Sequence, residues 1–163
     1  MLFGRDREKP KQPAQNYAIW LLSRWDYSAA TLRRKLVNRG YSTDEADAAV
    51  AAAIQAGYQS DARYAGVKAR GTQGRAGDRK IELVLKSKGI DAQIAKEQIA
   101  ALDPEVDRAI RAAAKFRKYV EKDGWSIDLA NKVRRSLASK GFSGASIKVA
   151  INELKTVVQE MIS

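Results

Sequence analysis

A pattern written three times along the chain constrains its fold more than any other feature. Leu32-Arg-Arg-Lys-Leu36-Val-Asn-Arg39-Gly40-Tyr41-Ser42 is matched by Ile81-Glu-Leu-Val-Leu85-Lys-Ser-Lys88-Gly89-Ile90-Asp91 and by Val133-Arg-Arg-Ser-Leu137-Ala-Ser-Lys140-Gly141-Phe142-Ser143. The glycines stand 49 and 52 residues apart, a period that marks a repeat architecture. Apolar residues four apart put one stripe on a helix, and the cation of the last turn complements the helix dipole. Glycine then supplies the left-handed residue that ends the helix. Tyr41, Ile90 or Phe142 tucks an apolar group in after the turn, and Ser42, Asp91 or Ser143 caps the next helix. Ser42 with Glu45 also makes a capping box.

The helices after the turns carry apolar faces at Ala46/Val50/Ala53/Ile54, at Ile94/Ile99/Leu102 and at Ile147/Ile151/Leu154/Val158. One further helical stretch precedes each pair, over 15–25, 61–72 and 104–122, the last capped by Asp103 with Pro104 at its first position. Three helices in each of three units predict an all-α chain of nine helices, divided as 16–60, 61–102 and 103–163. No alternating strand pattern occurs, and the run Ala48 to Ala53 argues against one. Such repeats stack on their neighbours, so the expectation is an elongated tandem array with long continuous faces. Residues 1–15, charged and holding Pro10 and Pro13, read as a disordered basic tail.

The chain contains no His and no Cys, which removes the commonest general base, the commonest metal ligand and thiol chemistry. The remaining Lys, Tyr, Ser and carboxylates show no spacing that commits to catalysis, so no enzyme activity, cofactor or metal is expected. Met1 to Gln15 has no apolar run and is neither signal peptide nor anchor, which places the chain in the cytoplasm, away from membranes. With 30 Lys+Arg against 19 Asp+Glu the net charge is +11, suited to a polyanion: nucleic acid or an acidic protein surface.

That charge concentrates in the helix before each glycine turn: Arg33, Arg34, Lys35 and Arg39; Arg79, Lys80, Lys86 and Lys88; Lys132, Arg134, Arg135 and Lys140. If equivalent positions point the same way, stacked repeats present a basic stripe; otherwise these are solvated helix faces. Helix, turn and helix resemble a DNA-reading element, but Asp44, Glu45 and Asp47 occupy the second helix of the first copy, where phosphate would be repelled. The helix dipole explains those three carboxylates better than metal binding does. The stretch from Lys68 to Lys80, with Arg70, Arg75, Arg79 and glycines 71, 74 and 77, reads as a contact loop, or alternatively as a flexible connection. Gly74-Arg75-Ala76-Gly77 matches a KH-type phosphate clamp only formally, since no accompanying sheet is in prospect. Tyr17, Trp20, Trp25 and Tyr27 are assigned to core packing or repeat contact ahead of base stacking.

In the middle copy, Gly57-Tyr58, Asp61-Ala-Arg63-Tyr64-Ala65, Arg70, Gly77-Asp-Arg79-Lys80-Ile81, Leu85 and Lys88-Gly89-Ile90 together resemble the RecX family. So does Ala18-Ile-Trp-Leu21-Leu22-Ser23-Arg24 followed by Ser28 and Leu32 to Leu36, and the resemblance spans residues 16–155. Ser60, Tyr64 and Lys80 depart mildly, standing where an acidic residue, Phe and Arg are usual. The resemblance implies a protein of three three-helix repeats that lodges in the groove of a RecA filament on DNA; apart from the resemblance, a monomer is expected. There it would inhibit the ATPase, strand exchange and co-protease functions by blocking filament growth or promoting disassembly, within DNA repair, recombination and the SOS response. Arg63, Tyr64 and the cations from Arg33 to Lys35, Lys68 to Lys88 and Lys132 to Arg135 would form the RecA or DNA contact. The alternative is a helical DNA-binding protein that acts without RecA.

Overall fold

A computed structural model describes residues 10–163, without the side chains of Val158, Met161 and Ile162. Ten α-helices follow one another: α1 (Ala14–Arg24), α2 (Ala29–Arg39), α3 (Thr43–Gln55), α4 (Asp61–Thr72), α5 (Asp78–Ser87), α6 (Ala92–Ala100), α7 (Glu105–Ala113), α8 (Arg117–Asp123), α9 (Ile127–Ser139) and α10 (Gly144–Ile162). A 3-10 turn over Ala114–Phe116 joins α7 to α8 without a gap, so nine continuous helical stretches result. The described residues contain no strand, and the all-α repeat reading holds.

Each copy of the pattern folds as its chemistry requires. Gly40, Gly89 and Gly141 take φ of 114°, 74° and 82°, where a side chain would be strained. Ser42 accepts from the Glu45 N–H while the Glu45 carboxylate accepts from the Ser42 N–H, and Asp91 and Ser143 accept from the N–H groups of Gln93 and Ser146. The apolar pairs Leu32/Leu36, Ile81/Leu85 and Val133/Leu137 are fully buried. Around them stand three separate cores, one over residues 14–53, one over 65–95 and one over 109–154. The strong helix-to-helix packing is all within repeats, as in α1 on α3, α4 on α6 and α7 on α10.

Hydrogen bonds between repeats run from the first to the second and from the second to the third, by the same construction each time. The Ala29 N–H at the start of α2 donates to the carboxylate of Asp61, the first residue of α4, at 2.8 Å. One repeat later, the Asp78 N–H at the start of α5 donates to Glu105, the first residue of α7, at 3.0 Å. The N-terminus of α2 also lies on the following glycine turn: Ser28 Oγ donates to the Lys88 carbonyl at 2.6 Å, and a Cβ on Gly89 would come within 2.5 Å of Ala30. The N-terminus of α5 does likewise, the Gly77 N–H donating to the Lys140 carbonyl at 2.9 Å. A Cβ on Gly77 would overlap the backbone of Gly141 and Phe142. Each joint thus satisfies one helix N–H with a carboxylate from the next repeat and ties that N-terminus to the carbonyl of the next glycine turn, through the Ser28 hydroxyl in the first joint and the Gly77 N–H in the second.

Arg108 strengthens the second joint. Only 2% exposed, it donates to the Asp103 carbonyl at 2.9 Å and the Ala76 carbonyl at 2.6 Å, and it pairs with Asp78. Nothing in its sequence surroundings marked it, because its acceptors are brought to it only by the docking of two repeats. Burial pushes the Glu105 carboxyl up, but donation from Ser143, Ser146 and the backbone of Asp78 and Ser143 outweighs it and holds the group below its ordinary 4.5.

Several expectations are corrected. Helix α1 begins at Ala14, which is buried, so the end of the supposed tail is helix; residues 1–9, on which the rest of that reading falls, lie outside the described residues. The Tyr41 hydroxyl donates to the Gln12 carbonyl at 2.8 Å and ties this end down. Asp103 does not cap α7: Pro104 takes the cap position, and the Asp103 carboxylate turns to Arg111 at 2.7 Å. Ile54, read as core, is 50% exposed at the end of α3, while the side chain of Val158 lies outside the described residues. The stretch from Lys68 to Lys80 is mostly helix. Lys68 and Arg70 close α4, Arg79 and Lys80 open α5, and only residues 73–77 connect them, because Gly71 is tolerated within α4. Gly77 serves close approach to the third repeat, not to an outside partner.

Three outcomes follow from the second joint. Arg108→Ala is expected to destabilise the fold by about 2–4 kcal/mol in urea unfolding, leaving the Ala76 carbonyl unpaired; Lys at this position will not rescue it, since a point charge cannot make three directed bonds. Asp78→Asn should cost about 1–3 kcal/mol, because Asp78 is half exposed but the buried guanidinium of Arg108 loses the carboxylate that pairs with it. Glu105, lowered on folding, stabilises the fold fully above 4.5 and ceases to do so as pH falls through its lower folded value. Urea midpoints measured down this acid range should therefore drop less steeply in Glu105→Gln than in the wild type.

Candidate RecA and DNA interface

The buried pairs set the register of the helix before each turn, and with it the outward positions. Arg33 and Arg34 in the first repeat correspond to Arg134 and Arg135 in the third, but to Glu82 and Leu83 in the second. Lys80 corresponds to Lys132, and to Thr31 in the first repeat. Only the last-turn position is cationic throughout, as Arg39, Lys88 and Lys140. The expected stripe is therefore continuous at that position alone, and elsewhere the cations interleave; the 57% exposed Leu83 interrupts it on α5.

The fifteen residues assigned to partner contact divide by environment. Arg33 pairs with Asp47 at 2.5 Å, and Lys35 lies over the Tyr27 ring at 4.9 Å. Arg63 donates to the Tyr58 carbonyl at 2.8 Å and to that of Gly57, binding α4 to the turn after α3. Tyr64 is half-buried against the second core, its phenol pushed up by burial and then by Asp26 and Asp61. These last two residues hold the fold as much as they face outward. Arg70 lies back over Gly66 beside Gln98. Lys132 sits 4.6 Å from the Tyr119 ring, which Lys118 also approaches at 5.1 Å, and Arg134 donates to Asn131. Arg34, Lys68, Arg75, Arg79, Lys86 and Arg135 are exposed and pair with no carboxylate among the described residues, while Lys88 is half-buried at the end of α5. Lys80 is exposed in the first turn of α5.

Charge is uneven along the chain. Residues 16–60 hold 5 Lys+Arg against 4 Asp+Glu, residues 61–102 hold 9 against 5, and residues 103–163 hold 12 against 8. Asp44, Glu45 and Asp47 account for the weak first repeat, and the capping box and the Arg33 pair engage two of them. A groove of about 410 Å³ between α9 and α10 is lined by Arg134, Lys148, Asn152 and Lys155, with Ile147 and Ile151 at its floor. Lys148 and Lys155 lie outside the charge runs before the glycine turns, although Lys148, Asn152 and Lys155 fall on one helix face by their spacing. In the first repeat Tyr17 stacks on Trp20 at 5.5 Å and both Tyr17 and Tyr27 pack on the core. Trp20 and Trp25, by contrast, are 46% and 70% exposed and lie outside the core, which corrects their assignment to packing. Among the described residues no His/Cys/Asp/Glu group would hold a metal ion, and no helix is long and apolar enough to cross a membrane.

Comparison with known proteins places these features in one family. Residues 14–51 match the model of the first three-helix domain of RecX. Regulatory protein RecX of Haemophilus ducreyi is 37% identical over 82% of this chain and 87% of that protein. The protein of the same name from Legionella pneumophila is 34% identical over 85% of this chain and 93% of its own length. The crystal structure of RecX from Lactobacillus salivarius superposes with a TM-score of 0.80 at 26% identity, covering 88% of this chain and 95% of that one. The helical fold and identity over more than four-fifths of the chain agree: this chain belongs to the RecX family of regulatory proteins.

Proposed function

We propose that this chain binds the RecA filament on DNA and inhibits RecA, restraining its ATPase, strand exchange and co-protease functions by blocking filament growth or promoting disassembly. The observation that carries this reading is the placement of unpaired, exposed cations on α4, α5 and α9 of a molecule whose repeats join end to end. An array with charge distributed along it fits a partner that is itself a polymer with a repeating acidic surface. Membership of a family of regulatory proteins supports a binding role over a catalytic one. The protein acts in the cytoplasm as a monomer, without a cofactor.

A second reading, binding to DNA without RecA, is favoured by the cationic groove between α9 and α10, where a helix following a turn carries Lys148, Asn152 and Lys155. Salt dependence separates the two, since binding carried by phosphate contacts falls steeply as salt rises.

Adding the protein to a DNA-dependent RecA ATPase assay is expected to lower turnover in proportion to its occupancy of filament; undiminished turnover at saturation would refute the proposal. Reversing Arg70, Arg79 and Lys80 together to Glu is expected to raise the concentration needed for inhibition by about tenfold or more, with helicity unchanged by circular dichroism. Retained inhibition removes this surface from the interface.

A further inference from the structure

The second joint gathers positive charge that the first joint does without. Lys80 lies in the first turn of α5, Lys115 in the 3-10 turn after α7, and Lys140 at the end of α9. A Cβ on Gly141 would stand 2.6 Å from Lys80 Cβ and its backbone nitrogen, so the main chains bearing Lys80 and Lys140 touch. Lys115 stands near enough to Lys140 for the two ammoniums to repel each other, and Lys140 is itself only half exposed. Burial lowers the Lys140 ammonium first, and repulsion from Lys115 and then Lys80 lowers it further. The carboxylates of this joint are engaged elsewhere: Glu105 accepts from Ser143, Ser146 and the Asp78 N–H, and Asp78 is held by Arg108.

The first joint is built in the same way and shows what the construction requires. By position along the helices, Thr31 stands there for Lys80 and Gly71 for Lys115, leaving Lys88 as the one counterpart cation. Docking therefore does not need the three lysines, and their mutual repulsion opposes it. We propose that Lys80, Lys115 and Lys140 form a binding site for a phosphate oxyanion, seated across the joint between the second and third repeats. Three flexible ammoniums from three elements suit a tetrahedral anion with several acceptor oxygens better than they suit a planar carboxylate. The phosphate is either free in solution or part of a nucleic-acid backbone. Because the site spans two repeats, an occupied site locks their relative orientation and stabilises the fold by mass action.

The test is an amide-resolved NMR titration of the full chain with sodium phosphate, with sodium chloride at matched ionic strength, and with a short oligothymidylate. Phosphate is expected to give saturable shifts at Gly77, Gly141 and Phe142 that chloride does not reproduce. Lys80→Gln with Lys140→Gln should weaken phosphate binding by about tenfold or more, whereas Lys96→Gln with Lys122→Gln, which removes an equal charge from α6 and α8, should not. Should the double variant lose helicity, Lys115→Gln alone, in an exposed position, is expected to weaken binding at least about threefold. Oligothymidylate that moves the same three amides identifies a backbone phosphodiester as the ligand, and oligothymidylate that leaves them in place identifies free phosphate. Shifts matched by chloride, or phosphate affinity unaltered in these variants, overturn the proposal.

Discussion

The glycine that ends the second helix of each later repeat serves two purposes, and the architecture follows from their coincidence. Its left-handed conformation turns the chain so that an apolar residue, Ile90 or Phe142, drops into the core of its own repeat. Its lack of a side chain lets the preceding repeat seat a helix N-terminus directly on the turn, as Ala30 and Lys80 do. A single atom at Cβ would oppose both, straining the backbone and parting the repeats. The residue that closes one unit is thus the surface on which its neighbour docks.

Stability is consequently divided. Apolar burial is confined to three small cores, each closed by its own helices, while the joints are made of directed polar contacts: a carboxylate to a helix N-terminus, a carbonyl to an N–H, and the buried fork of Arg108. Contacts of this kind lose strength quickly with misalignment, which makes them good at fixing orientation and modest in net energy. A chain organised in this way behaves as coupled neighbours. Its long surface keeps the spacing of its charges only as well as the joints hold.

Charge follows the same division. The first repeat is nearly balanced because α3 opens with acidic residues that feed its N-terminus, whereas the later repeats carry an excess of cations that no carboxylate offsets. The crowding of Lys80, Lys115 and Lys140 at the second joint is the sharpest instance, where positive charge accumulates against the interest of the fold itself.

Local rules determined the repeat, the helices, their caps and the buried pairs, all of which can be read from Leu32/Leu36 and its two echoes, because a helix stripe, a terminal cation and a glycine stop act within about a dozen residues. The same register also placed Arg33 with Arg134 and exposed the break at Glu82 and Leu83. Family resemblance in the middle copy was likewise legible, since it rests on side chains in fixed order. Tertiary structure alone decided what touches across repeats. It turned Arg108 inward, gave Arg63 and Tyr64 partners within the fold, converted most of a supposed contact loop into helix ends, and brought Lys115 to Lys140. Most of those outcomes depend on residues between 25 and 60 positions apart meeting in space, and no periodicity within a helix encodes such a meeting.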